Sequence, residues 1–167
     1  MDLKKFKASA ARKKGKLGQF LDKLDDVVPD DMPELVNRAD ATVWRDVNCM
    51  ECANCCKTMT PTFTKKDITR IAAHVGLTPK AFKDKWLLKE EGDSGDWVNK
   101  TQPCQFLIEN KCGIYEVRPA DCAEFPHHNK KPFDAYNETF KNNLIHCPAT
   151  LLLVDRLKKT VEKEYEW

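Results

Sequence analysis

The chain has little that would carry it into a membrane, a secretory route or a polyanion complex. Its opening segment, MDLKKFKASAARKKGK, holds no apolar run that could serve as a signal-peptide core. The longest apolar run is LLLV, Leu151–Val154, far short of the roughly 20 residues that span a bilayer. Both absences predict a cytoplasmic protein with no membrane span. The formal net charge is only +2, too little for a protein built mainly to bind nucleic acid. Glycine is scarce, six residues in 167, and never forms the loop after a strand that cradles a nucleotide or methyl-donor cofactor. There is no P-loop, protein-kinase or hydrolase motif, no internal repeat and no low-complexity segment.

Eight cysteines are present: Cys49, Cys52, Cys55, Cys56, Cys104, Cys112, Cys122 and Cys147. In a reducing compartment such a set points to metal binding rather than to a disulfide framework. Hydrophobic residues make up 41% and charged residues 32%, as in a globular domain of ordinary size. The charge is uneven. Residues 1–23 carry eight Lys or Arg against two Asp, and residues 24–40 carry six acidic residues against one Arg.

The apolar spacing predicts mainly helices with irregular cysteine-rich loops and a minor β-hairpin, a small metal-organised α+β domain. Leu17, Phe20, Leu21 and Leu24 form one stripe of a lysine-faced, solvated N-terminal helix frayed at its start. A second helix is expected from Pro33 to Asp46, with Leu35, Val36, Val43, Trp44 and Val47 toward the core. Thr64 with Asp67 reads as a capping box before Ile68, Ile71, Ala72 and Val75. Gly76 reads as the helix stop, and Thr78-Pro79 as the start of a helix reaching Leu88. This pair resembles a helix-turn-helix, but Phe82, Trp86, Leu87 and Leu88 suit a core better than a DNA groove. Glu90–Gly95 reads as a polar loop, Trp97-Val98 and Phe106–Ile108 as short strands, and 126–137 as loop. Pro148–Trp167 reads as a helix lined by Leu151, Val154, Leu157, Val161 and Tyr165. The organisation expected is a helical arm over 1–45, a cysteine-cluster domain over 46–150 and a C-terminal helix over 151–167.

The stretch NCMECANCCK, Asn48–Lys57, fits neither a helix nor a strand period and reads as a knuckle loop. In C-x2-C the two intervening residues form a turn that points both sulfurs at one ion. Cys49-x2-Cys52-x2-Cys55 extends this to three thiolates, as in bacterial ferredoxins. Cys56 follows directly. Side chains of neighbouring residues diverge, so one of Cys55 and Cys56 is expected to face a second centre or the core. Pro103 before Cys104 and Pro148 after Cys147 restrict the backbone at those sulfurs, and Gly113 after Cys112 permits a close backbone approach.

The C-x2-C-x2-C-C run at Cys49–Cys56, PCQFL at Pro103–Leu107 and CGIYEVRPADCAEFP at Cys112–Pro126 resemble the cysteine-cluster family of zinc- or iron-chelating domains named for its CxxCxxCC motif. The resemblance covers the central hundred residues or so and includes a helical hairpin at Thr64–Leu88. It implies a chelated metal or an iron–sulfur cluster, and some members are labelled flagellin lysine methylases. One position departs from the pattern: Ala123 stands where the family often has arginine.

All eight cysteines are candidate ligands for an iron–sulfur cluster or zinc. Arg118, set among them, is a candidate to offset the negative charge of such a centre, or else to pair with Glu116 or Asp121. His127, His128, His146 and His74 read first as surface or hydrogen-bonded histidines. Three functions follow: a thiolate metal protein with a redox or sensing role, a metal-dependent enzyme drawing on His127, His128 and Glu124, and a metal-responsive interaction or DNA-binding module. The partner expected is a metal ion, with a protein as a further candidate.

Overall fold

The computed structural model describes residues 2–91 and 95–166. The middle of the loop expected at Glu90–Gly95 and the last residue of the expected C-terminal helix, Trp167, lie outside them. The fold is mainly helical, with two small two-stranded antiparallel sheets. It gathers into two compact units: residues 1–52 with 126–167, and residues 53–125.

The first unit is helical. Helix α1, Leu3–Leu24, starts at Asp2, whose carboxylate accepts from the amides of Lys4 and Lys5. The cap removes the fraying expected there, because it satisfies donors that a helix start otherwise leaves open. The stripe read from the sequence is buried, and Phe6 and Ala10 extend it, so α1 is part of the core. Helix α2, Met32–Asp46, buries Leu35, Val36 and Val43. Trp44 is a correction: it is 39% exposed. Its indole N–H donates to Asp40 at 2.9 Å, one turn earlier, and this holds the ring at the surface. A short helix α3 spans Cys49–Cys52. Within 126–147 the unit forms helix α8, Asn137–Asn143, around the fully buried Phe140. Helix α9, Pro148–Glu164, buries Leu151, Val154, Leu157 and Val161 as its spacing predicts, and Leu153 as well. It ends before Tyr165, whose hydroxyl donates to Asp31. Helix α9 packs on α1 and α2, and α1 on α8.

In the second unit, helix α4, Asn54–Thr58, follows Ala53, which sits in the left-handed region at φ 48°. The knuckle is thus two helical turns, α3 and α4, joined through Ala53. Helices α5, Lys65–His74, and α6, Pro79–Trp86, form the expected hairpin. Gly76 stands at φ 71° between them, and Thr78 caps α6 by accepting from the Ala81 amide. Helix α6 stops two residues earlier than read. Leu87–Lys89 is a strand, β1, paired antiparallel with β2, Trp97–Asn99. An apolar run of three residues, Trp86-Leu87-Leu88, carries no period that separates helix from strand. Strand β3, Leu107–Ile108, pairs with β4, Lys111–Cys112, across a two-residue turn. Both turn residues, Glu109 and Asn110, have positive φ, the backbone that a tight hairpin demands. Phe63, Ile68, Ile71, Ala72, Phe82, Leu87, Phe106 and Ile114 make the core. Phe82 stacks on Phe106 with centroids 6.2 Å apart. With Phe82 fully buried, the inner face of α6 is committed to that core rather than to a DNA groove.

Asp67 ties this unit together. Its carboxylate accepts from the Thr64 amide at 3.0 Å, the Thr64 hydroxyl at 2.6 Å, Arg70 at 2.6 Å and the Ala120 amide at 3.2 Å. Burial alone would raise its pKa, but these donors outweigh burial and lower it. A carboxylate with a lowered folded pKa stabilises above the unfolded value, about 3.9, and loses that contribution as pH falls through the folded value. Asp67→Asn should therefore cost about 2 kcal/mol at pH 7, roughly 4–8 °C in Tm. The deficit should shrink toward pH 3, as thermal melts across that range would show.

Candidate metal centre

The second unit brings four of the eight cysteines together. Cys56 lies in α4, one helical turn past Ala53. Cys104 donates its backbone N–H to the Cys56 carbonyl at 2.8 Å, which anchors the loop before β3 to the knuckle. Cys112 ends β4, one hairpin away. Gly113 follows it and donates to the Phe106 carbonyl at 2.8 Å. A Cβ at Gly113 would stand 3.2 Å from Ile108 and 3.4 Å from that carbonyl, so the close approach glycine permits is to the hairpin. Cys122 rides on the short helix α7, Ala120–Glu124, which Pro119 precedes. Asp67, through the Ala120 amide, and Asp121, which accepts from the Thr62 amide at 3.0 Å, hold this turn to α5 and its approach.

The four thiols influence one another electrostatically. Burial and then the charge of Cys56 and Cys112 raise the Cys104 thiol, against a backbone donor at Phe106 and the Asn99 side chain. Burial and Cys56 raise Cys112, which Arg118 partly offsets. Burial, with Cys56, Cys104, Asp121 and Cys112, pushes Cys122 far up. Cys122 is an exposed residue, yet burial is the largest influence on its thiol. Every pair among Cys56, Cys104, Cys112 and Cys122 therefore interacts. Cys56 is the exception in sign. The Cys55 thiol, 4.0 Å away, lowers its pKa to about 7 against the effect of burial, with help from Lys57. Adjacent Cys55 and Cys56 thus keep their sulfurs in mutual contact, closer than divergent side chains would leave them.

Among the described residues no three His, Cys, Asp or Glu side chains converge tightly enough to hold an ion as they stand. The four thiols lie within electrostatic reach of one another, and a bound ion would draw them closer. The donor set fits a soft metal. Four soft sulfurs discourage one another from ionising, and a bound cation would offset that repulsion and favour the thiolate form of each.

Arg118 stands beside this set. Its guanidinium donates to the Tyr115 carbonyl at 2.7 Å and lies 3.9 Å over the Tyr115 ring. Of the two roles read for it, the charge-offsetting one has support, since its charge is felt at Cys112. Ala123, where the related pattern has arginine, is an exposed residue of α7.

Of the other four cysteines, Cys55 lies beside Cys56, and the remaining three belong to the first unit. Cys49 and Cys52 open and close α3 in the first unit, where Cys147 begins α9. Cys52 and Cys147 are both buried and close enough for the charge of Cys52 to raise Cys147. Burial is the larger influence raising Cys147. The Thr150 hydroxyl and the amides of Thr150 and Ala149 favour its thiolate, although no full capping hydrogen bond forms.

Sequence reasoning missed what surrounds Cys147. His128 is buried, its Nδ1 2.7 Å from Asp40 and its Nε2 3.0 Å from the Thr150 hydroxyl. Both ring nitrogens are engaged, which removes His128 from the general-base and ligand candidates. Its partners lie 88 and 22 residues away in the chain, so no local pattern marks it. Desolvation lowers the pKa of the half-buried His146.

His128→Ala would strand Asp40 and Thr150. It should cost about 2–3 kcal/mol and lower Tm in a thermal melt, while metal content per chain stays at the wild-type value. Loss of metal with unchanged Tm would instead make His128 a ligand.

A family model described as "CxxCxxCC: Putative zinc- or iron-chelating domain" matches residues 48–143. No curated protein and no solved structure gives a significant match to the chain.

Proposed function

The chain belongs to the CxxCxxCC family of zinc- or iron-chelating domains, and from that premise we propose that Cys56, Cys104, Cys112 and Cys122 form one four-thiolate centre. The observation that carries the proposal is the Cys104 amide bonded to the Cys56 carbonyl at 2.8 Å, with the hairpin ending in Cys112 directly after it; the charges of the four sulfurs bear on one another in support. Iron, as an iron–sulfur cluster, is the occupant we favour, with a single zinc ion as the alternative. Four thiolates satisfy either one. A cationic guanidinium beside Cys112 and a sulfur at the exposed Cys122 suit a cluster whose net charge is negative and which exchanges electrons with a partner. Such a cluster supplies one-electron transfer or redox sensing. The chain's own residues place the sulfurs, exclude water on the Phe106 side and offset charge.

The sensing or electron-transfer reading is stronger than an enzymatic one. A metal-dependent enzyme, methylase-like or other, needs an acid or base free to act, and His128 is committed to Asp40 and Thr150. The DNA-binding reading loses its recognition face to the burial of Phe82.

Protein purified without oxygen should be brown and contain acid-labile sulfide and iron. Colourless protein carrying about one zinc ion per chain would replace iron by zinc. Cys104→Ser should lower metal content and Tm together, because a centre built from scattered segments holds those segments in place. If both values stayed at wild type, the four-thiolate centre would be refuted.

A further inference from the structure

The metal centre makes no use of the charge division at the start of the chain. Helix α1 is not a loose basic tail. Buried residues run along it from Phe6 to Leu24, and Lys13 reaches Asp155 at 2.9 Å. The helix is therefore held to the core of its unit. Its other side carries Lys4, Lys5, Lys7, Arg12, Lys14 and Lys16, all exposed. Lys5 stands 3.8 Å from Asp2, and the other five pair with no carboxylate among the described residues. Lys4 and Lys7, and Arg12 and Lys16, are one helical turn apart, a spacing at which like charges repel. A partner that brings negative charge relieves that repulsion.

A membrane, a nucleic acid and an acidic protein segment all carry such charge, and the face itself separates them. Between the cations it exposes Ala8, Ala11 and Gly15. No large apolar side chain is there to enter a bilayer, and no aromatic ring to stack on a base. Five of the six cations are lysine, a point charge rather than the arginine fork that matches phosphate. The face is also bounded. Lys4 to Lys16 covers about 18 Å, and Asp22 lies about 9 Å further on, close to one screening length at physiological salt. Asp25, Asp26 and Asp30 follow, all exposed. Lys141 pairs with Asp22, whereas Asp26 and Asp30 meet no cation among the described residues. A long polyanion laid along α1 would run onto these carboxylates. A short acidic segment would not.

We propose that the outward face of α1 docks a short acidic segment of a partner protein, a run of Asp and Glu that lies along Lys4, Lys7, Arg12, Lys14 and Lys16. The contact is electrostatic, so it forms quickly and weakens as salt rises. It stands apart from the four-thiolate reading and does not depend on it.

The test uses the full chain with three probes: a fluorescein-labelled oligoglutamate peptide, a DNA duplex of equal length and phosphatidylserine vesicles. The peptide should bind at low salt and be released as salt is added. Lys4→Glu, Lys7→Glu and Lys14→Glu combined should weaken peptide binding about tenfold. Lys65→Glu with Lys66→Glu, at two exposed lysines that begin α5, should leave it unchanged. No binding of the peptide at low salt, or equal loss in both variants, overturns the proposal. Tighter binding of the duplex or the vesicles than of the peptide also overturns it, in favour of a phosphate-bearing partner. A second measurement needs no variant. In wild-type protein, amide NMR shifts induced by the peptide should concentrate within residues 4–16. Shifts concentrated in any other segment overturn the proposal.

Discussion

Four sulfurs crowded at one half-buried place cannot all carry charge unless a cation joins them. That constraint organises the second unit. Burial and mutual repulsion hold Cys104, Cys112 and Cys122 in the neutral form, and only Cys56, supported by Cys55 and Lys57, ionises readily. A soft metal would reverse the balance, because its positive charge favours the thiolate form and sulfur is the donor it prefers. On the proposed assignment, the site is destabilised as a set of thiols and completed by its ion.

The scaffold serves that arrangement. The four sulfurs come from a helical turn, a loop, a strand end and a second short turn, none long enough to be rigid alone. Their precision comes from cross-links: the Cys104 amide on the Cys56 carbonyl, and Asp67 gripping both its own helix start and the amide before Cys122's turn. The aromatic core of Phe82, Trp86 and Phe106 closes the side away from solvent. Asp67 is buried and charged, a costly combination in isolation, and is retained here because four donors surround it.

Much of this was legible in the sequence. The capping box at Thr64 and Asp67, the stop at Gly76 and the α9 stripe are local signals, and they appear where their chemistry puts them. The cysteine motif identified the kind of site. Its division was not legible. The junction at Ala53 uses a left-handed backbone on a residue with a Cβ, which leaves no mark of the kind a glycine would. The run C-x2-C-x2-C therefore reads as one knuckle, although Cys49 and Cys52 belong to one compact unit and Cys55 and Cys56 to the other. Helix α8 was hidden because NETFKNN offers a single apolar side chain. The pairings of His128 with Asp40 and of Asn99 with Gln105 depend on tertiary approach, and no spacing encodes them.

X-ray absorption at the metal edge of the purified protein measures the central claim most directly. It should show a shell of about four sulfurs near 2.3 Å and no nitrogen or oxygen for zinc, with a further metal–metal shell if the occupant is an iron–sulfur cluster. Cys122→Ala should remove one protein sulfur from that shell, and Cys49→Ala should leave it intact. A shell containing nitrogen, or one that loses sulfur with Cys49→Ala and not with Cys122→Ala, would contradict the assignment of Cys56, Cys104, Cys112 and Cys122 to one centre.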